Sequence, residues 1–99
     1  MKIESYKDLT VWRKSIILLK EIYTLTSEFP RSGVYGITNQ IRRSAVSIPS
    51  NIAEGSGRSA KKDYIRFYTM AFSSGLELET QLIIAKDVEL TSKKSFETS

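Results

Sequence analysis

A chain of 99 residues is enough for one small domain, and 40% hydrophobic with 10% aromatic residues can supply its single core. Cysteine and histidine are both absent. That excludes disulfides and thiolate chemistry and removes the commonest metal ligands and general base, so neither catalysis, nor a cofactor, nor a metal centre is expected. The charged first residues lack an apolar leader and no apolar run approaches membrane-spanning length, so a cytoplasmic protein without a membrane partner is expected. The net charge of +4 is uneven: residues 31–66 hold seven basic side chains against two acidic ones, whereas residues 67–99 hold three against five.

Apolar periodicity predicts a first helix over residues 7–28, ending before Phe29-Pro30 because a residue preceding proline avoids the helical region. Leu9, Trp12, Ile16, Leu19 and Tyr23 form one stripe, and Val11, Leu18, Ile22, Leu25 and Phe29 form another. At about 100° per residue the two stripes cover roughly 200° of the circumference, nearly twice what one core requires. One stripe faces the core; the other wants a second surface.

Arg31-Ser32-Gly33 reads as a turn with Ser32 as N-cap, and a second helix follows over residues 34–56. Its core stripe is Val34, Ile37, Ile41, Ala45, Ile48 and Ile52. Pro49 removes one backbone donor, but the register persists on both sides of it, which predicts a kink and not a break. Gly55 and Gly57 end the helix. Beside the core stripe run Gln40, Ser44, Ser47, Asn51 and Glu54, with Arg58 beyond them. The middle side chains are short enough for another backbone to approach and polar enough to bond it, so this line is expected to be a half-buried assembly seam.

Ser59 is a candidate cap for a third helix over residues 59–88. Tyr64, Phe67, Ala71, Leu78, Leu82 and Ala85 form its first stripe, and Ile65, Phe72, Leu76 and Ile83 its second. Gly75 lowers helix stability relative to alanine, which suggests a close helix contact there. Residues 92–98 offer one or two turns with Phe96 as their sole apolar anchor, a short fourth segment. The fold class is therefore all-α, an antiparallel up-down bundle forming one domain over residues 1–99, with three long helices and an incomplete fourth wall. Trp12, Ile16, Ile41, Ile48, Ile52, Phe67, Ala71 and Leu78 are expected to be mostly buried.

Four segments carry a resemblance: Tyr6-Lys7-Asp8-Leu9-x-Val11-Trp12, the run from Gln40 to Gly55 containing Ser47-Ile48-Pro49-Ser50-Asn51-Ile52-Ala53-Glu54-Gly55, Lys62-Asp63-Tyr64-x-x-Phe67, and Glu77-Leu78-Glu79-Thr80-Gln81-Leu82. In order and spacing the chain resembles, over about residues 5–90, the four-helix-bundle proteins encoded by intervening sequences in bacterial 23S ribosomal RNA genes. That family is in turn similar to the accessory protein of diversity-generating retroelements, a barrel-like homopentamer that binds nucleic acid and the reverse transcriptase. The resemblance implies a non-catalytic bundle that assembles as a homo-oligomeric ring. It also implies a long fourth helix, where this chain offers only the short segment; either the chain is truncated or another chain fills the vacancy, and the copy number stays open.

Two functions follow. In one, the protein is a nucleic-acid-associated assembly module whose Arg42, Arg43, Arg58, Lys61, Lys62 and Arg66 neutralise RNA or DNA phosphates without reading base sequence. In the other it is a structural scaffold for a protein partner, and its basic charge is incidental. Glu54 and Arg58, four residues apart, read as a helical ion pair and not as an acid–base pair.

Overall fold

The structure, a computed structural model, describes residues 5–29 and 35–98, the side chains of residues 35 and 89–98 excepted. The described residues form a short 3-10 turn, Tyr6–Asp8, and three helices: α1 (Thr10–Ser27), α2 (Tyr35–Ser56) and α3 (Lys61–Thr98). No strand occurs among them. The expected turn at Arg31–Gly33, the Ser32 cap and Val34 lie outside the described residues.

The first helix starts later than its periodicity suggests. The Ser5 hydroxyl accepts from the Lys7 backbone N–H at 3.2 Å and seeds the 3-10 turn. Leu9 then turns extended before α1 begins. Arg13 reaches back across this junction, donating from Nε to the Lys7 carbonyl at 2.9 Å and pairing with Asp8 at 3.6 Å. Packing of Tyr6 edge-on to Trp12, with centroids 5.3 Å apart, joins the turn to the helix.

Buried Pro49 lies inside α2, which is unbroken. At the start of α3, Ala60 and not Ser59 is the capping position: the Ala60 carbonyl accepts from the N–H groups of Asp63 and Tyr64. The expected stop near Val88 and separate segment over residues 92–98 are also corrected, since α3 runs as one helix of 38 residues to Thr98. Beyond Gly75 the chain contains neither glycine nor proline, and Thr91-Ser92 alone is too weak a signal to end a helix flanked by Ala, Leu, Glu and Lys.

Helix α2 is the centre of the packing. Ile22 of α1, Ile41 and Ala45 of α2, and Leu78 and Ala85 of α3 form one buried cluster, flanked by half-buried Leu19, Ile37, Ile48 and Leu82. Of the eight expected core residues, Ile41, Ile52, Ala71 and Leu78 are buried; Trp12, Ile16, Ile48 and Phe67 are half-buried. Both α1 and α3 lie against α2, yet among the described residues no Cα of α1 comes within 8 Å of one in α3. The α2–α3 contact is close at Gly55, where a Cβ would sit 3.0 Å from the Phe67 Cβ. Gly75 does not have the close contact expected of it, because a Cβ there would meet nothing within 4 Å.

With Ser44 opposite Gln81, α2 begins beside about residue 90 of α3, whose last turns run past it. The molecule is accordingly elongated, with extents of 61 × 22 × 17 Å and a radius of gyration of 16.8 Å. A compact domain of this length has a radius near 13 Å.

Candidate functional site

The small polar line of α2 is a seam with α3 of the same chain. Ser44 Oγ donates to Gln81 Oε1 at 2.9 Å, and the Ser47 and Ser74 hydroxyls lie 2.8 Å apart. Asn51 Nδ2 donates to the Ser47 carbonyl at 2.8 Å and to its Oγ at 2.9 Å. Ser44, Ser74 and Gln81 are buried, and Ser47 and Asn51 half-buried. No buried polar side-chain atom among the described residues is left without a partner. Gln40 and Glu54 are exposed and do not join the seam. Reading the sequence missed the α3 half, although Ser74 and Gln81 continue the helical spacing Phe67, Ala71, Leu78, Ala85. Their polarity, matched to the serines of α2, was the available signal.

A second miss concerns α1. Its most buried positions are Ser15, Ile22 and Thr26, of which Ser15 and Thr26 lie between the two apolar stripes, beside Ile22 of the second. Both hydroxyls satisfy themselves within the helix: Ser15 Oγ donates to the Trp12 carbonyl at 2.6 Å, and Thr26 Oγ1 to the Ile22 carbonyl at 2.7 Å. The core therefore sees the centre of the arc, and the outer stripe members stay wet. Val11, Leu18 and Leu25 are exposed on one edge and Tyr23 on the other.

The second stripe of α3 faces outward. Ile65, Phe72, Leu76 and Ile83 are all exposed, Phe72 at 69%. Next to it, Val11 of α1, Ile48 and Ile52 of α2, and Tyr68, Ala71 and Phe72 of α3 line an apolar groove of about 380 Å³. This groove is open because α1 and α3 do not meet above α2.

The six basic candidates fall into two groups. Arg58, Lys61, Lys62 and Arg66 are exposed around the α2–α3 turn. The guanidinium groups of Arg58 and Arg66 each lie 4.8 Å from the centroid of the Phe67 ring, which holds them together. Arg58 is paired with Glu54 at 3.1 Å, whereas Lys61, Lys62 and Arg66 have no ion pair among the described residues. Arg42 and Arg43 are roughly 20 Å away along α2, at about 1.5 Å per residue. They line a separate groove between α1 and α2. Arg42 is half-buried, donating from Nε to Thr26 Oγ1 at 2.8 Å, with its guanidinium 4.5 Å from the Tyr23 ring centroid. Charge patterning located these arginines and lysines, and the spacing of four gave the Glu54–Arg58 pair, but nothing in it gave Thr26 and Tyr23 as the partners of Arg42.

Among the described residues no group of three or more acidic residues is placed to hold a metal ion, and no helix is long and apolar enough to cross a membrane. Among curated proteins, none matches the chain. A family model does: residues 7–99 match that of the 23S rRNA-intervening sequence proteins, and a match over nearly the whole chain, together with its all-helical architecture, means that the chain belongs to this family.

Proposed function

We propose that the chain is a non-catalytic, cytoplasmic module whose helices pack up, down and up, and which assembles with further copies of itself and contacts RNA or DNA through phosphates. The observation that carries this reading is the apolar surface left outside the core. A compact monomer of 11.2 kDa has an accessible surface near 5,700 Å² by the usual scaling, and this chain has 7439 Å². The excess, about 1,700 Å², comes with the elongated shape and includes polar as well as apolar area. Val11, Leu18 and Leu25 on α1 and Ile65, Phe72, Leu76 and Ile83 on α3 lie on that surface. A closed ring would use two such faces per copy.

The nucleic-acid part of the reading rests on Arg58, Lys61, Lys62 and Arg66 at one turn, repeated in every copy of an oligomer. A scaffold without nucleic acid is the second reading, and one observation favours it: Glu54 already occupies Arg58. Titrating binding to RNA and DNA against salt separates them. Binding that falls steeply with salt supports the first reading, and no binding at low salt supports the second.

A further inference from the structure

We propose that the groove between α1 and α2 is a binding site for a phosphate-type oxyanion, gripped by Arg42 and Arg43. The site lies apart from the basic α2–α3 turn and does not depend on the nucleic-acid reading of that turn. It has a volume of about 930 Å³, and Tyr23, Asn39, Gln40, Arg42 and Arg43 are among the described residues that line it, none of which is a carboxylate.

Arg42 is built into place. Its Nε–H donates to Thr26 Oγ1 at 2.8 Å, and that buried hydroxyl in turn donates to the Ile22 carbonyl at 2.7 Å, so the acceptor cannot swing away. The Tyr23 ring covers the guanidinium at 4.5 Å. One edge of the fork is thereby used for positioning. Neither Nη group has a hydrogen-bond partner or counter-ion among the described residues. A half-buried cation is ordinarily paired, because removing charge from water costs free energy that an opposite charge offsets. Here the fork is oriented, and no described residue occupies its pairing edge. Planar Nη–H groups suit a bidentate phosphate contact, which a lysine in the same place would not make. Exposed Arg43 adds a second charge, and the side-chain amides of Asn39 and Gln40 add neutral donors.

Free phosphate, a small phosphomonoester and a nucleic-acid diester share this chemistry, and the test separates their sources. The full chain is titrated by calorimetry with inorganic phosphate, and separately with a short single-stranded oligonucleotide lacking terminal phosphates, each against chloride at matched ionic strength. The Nε–Hε resonance of Arg42 is followed in parallel by NMR. The expected result is saturable heat with a saturable shift of that resonance. Arg42→Lys should weaken binding by about tenfold or more, the value of one charge-assisted fork contact. Thr26→Val, which removes the Nε acceptor, should weaken it less. Arg43→Gln, which alters no core contact, provides a check independent of folding and should weaken it as well. Saturation by phosphate alone assigns the site to a free or terminal phosphate; tighter oligonucleotide binding that moves Arg42 assigns it to a diester. The proposal is overturned if neither probe saturates, or if Arg42→Lys and Arg43→Gln bind like the parent. Oligonucleotide binding lost on mutating the α2–α3 turn, with Arg42 unmoved, would overturn it while supporting the proposed function.

Discussion

Ser44→Ala is the most informative single change in the α2–α3 seam. Ser44 and Gln81 are 6% and 9% exposed, and the hydroxyl is the donor to Gln81 Oε1 at 2.9 Å. Removing it leaves a buried amide oxygen that water cannot reach. An intact neutral hydrogen bond contributes about 1 kcal/mol net, but an abandoned buried acceptor costs about 1–3 kcal/mol. We therefore expect Ser44→Ala to destabilise the fold by about 1–3 kcal/mol, a fall in Tm of roughly 5–20 °C for a chain of this size. The double variant Ser44→Ala with Gln81→Met removes both polar groups and keeps the volume, so it should recover most of the loss. Urea unfolding at one fixed protomer concentration measures both, because association would otherwise shift the midpoint. A cost below about 0.5 kcal/mol for Ser44→Ala, or strict additivity in the double variant, would refute the claim that this pair is a dry, satisfied seam.

Four further outcomes follow from particular residues. Gly55→Ala should destabilise by about 1–3 kcal/mol, because its methyl group would press on Phe67. Gly75→Ala, facing open space, should stabilise the monomeric fold by up to about 1 kcal/mol, and thermal unfolding of the two variants should move in opposite directions. Ile41→Ala empties a fully buried site and should cost about 2–5 kcal/mol by denaturant unfolding, while Ile48→Ala, half-buried, should cost less. Replacing Arg58, Lys61 and Lys62 together with alanine should flatten the slope of log affinity against log salt for RNA and DNA alike, by about one unit per lost contact. An unchanged slope would favour the scaffold reading.

The helices were legible because their apolar residues recur at three and four over long stretches, and no short-range feature competes with that period. Where α3 ends was not legible: Thr91-Ser92 resembles a stop, but only glycine or proline interrupts such a helix reliably. The buried line of α1 was hidden for a related reason. Ser15 and Thr26 are polar by type, and only the backbone carbonyls beneath them make their burial tolerable. The seam was half visible, through the short polar side chains of α2, while its partners Ser74 and Gln81 sit among apolar neighbours thirty or so positions on. Composition marked the basic segment and could not divide it. Arg42 is drawn aside by Tyr23 and Thr26 on a different helix, whereas the pairing of Arg58 with Glu54 one turn earlier was legible in their spacing. Gly75 shows the converse, a residue type that suggested a contact the chain does not make by itself.

If further copies of the chain cover the exposed apolar faces of α1 and α3, as we propose, the protein associates in solution. Sedimentation equilibrium of the unmodified protein and of Phe72→Glu with Leu76→Glu, from low to high micromolar concentration, tests it directly. The two replacements lie on the exposed face of α3, so they leave the buried cluster intact. The parent should sediment at a mass several times the 11.2 kDa of one chain, and the double variant should shift toward 11.2 kDa with helicity retained. A parent that sediments at 11.2 kDa across the whole range would contradict the proposal.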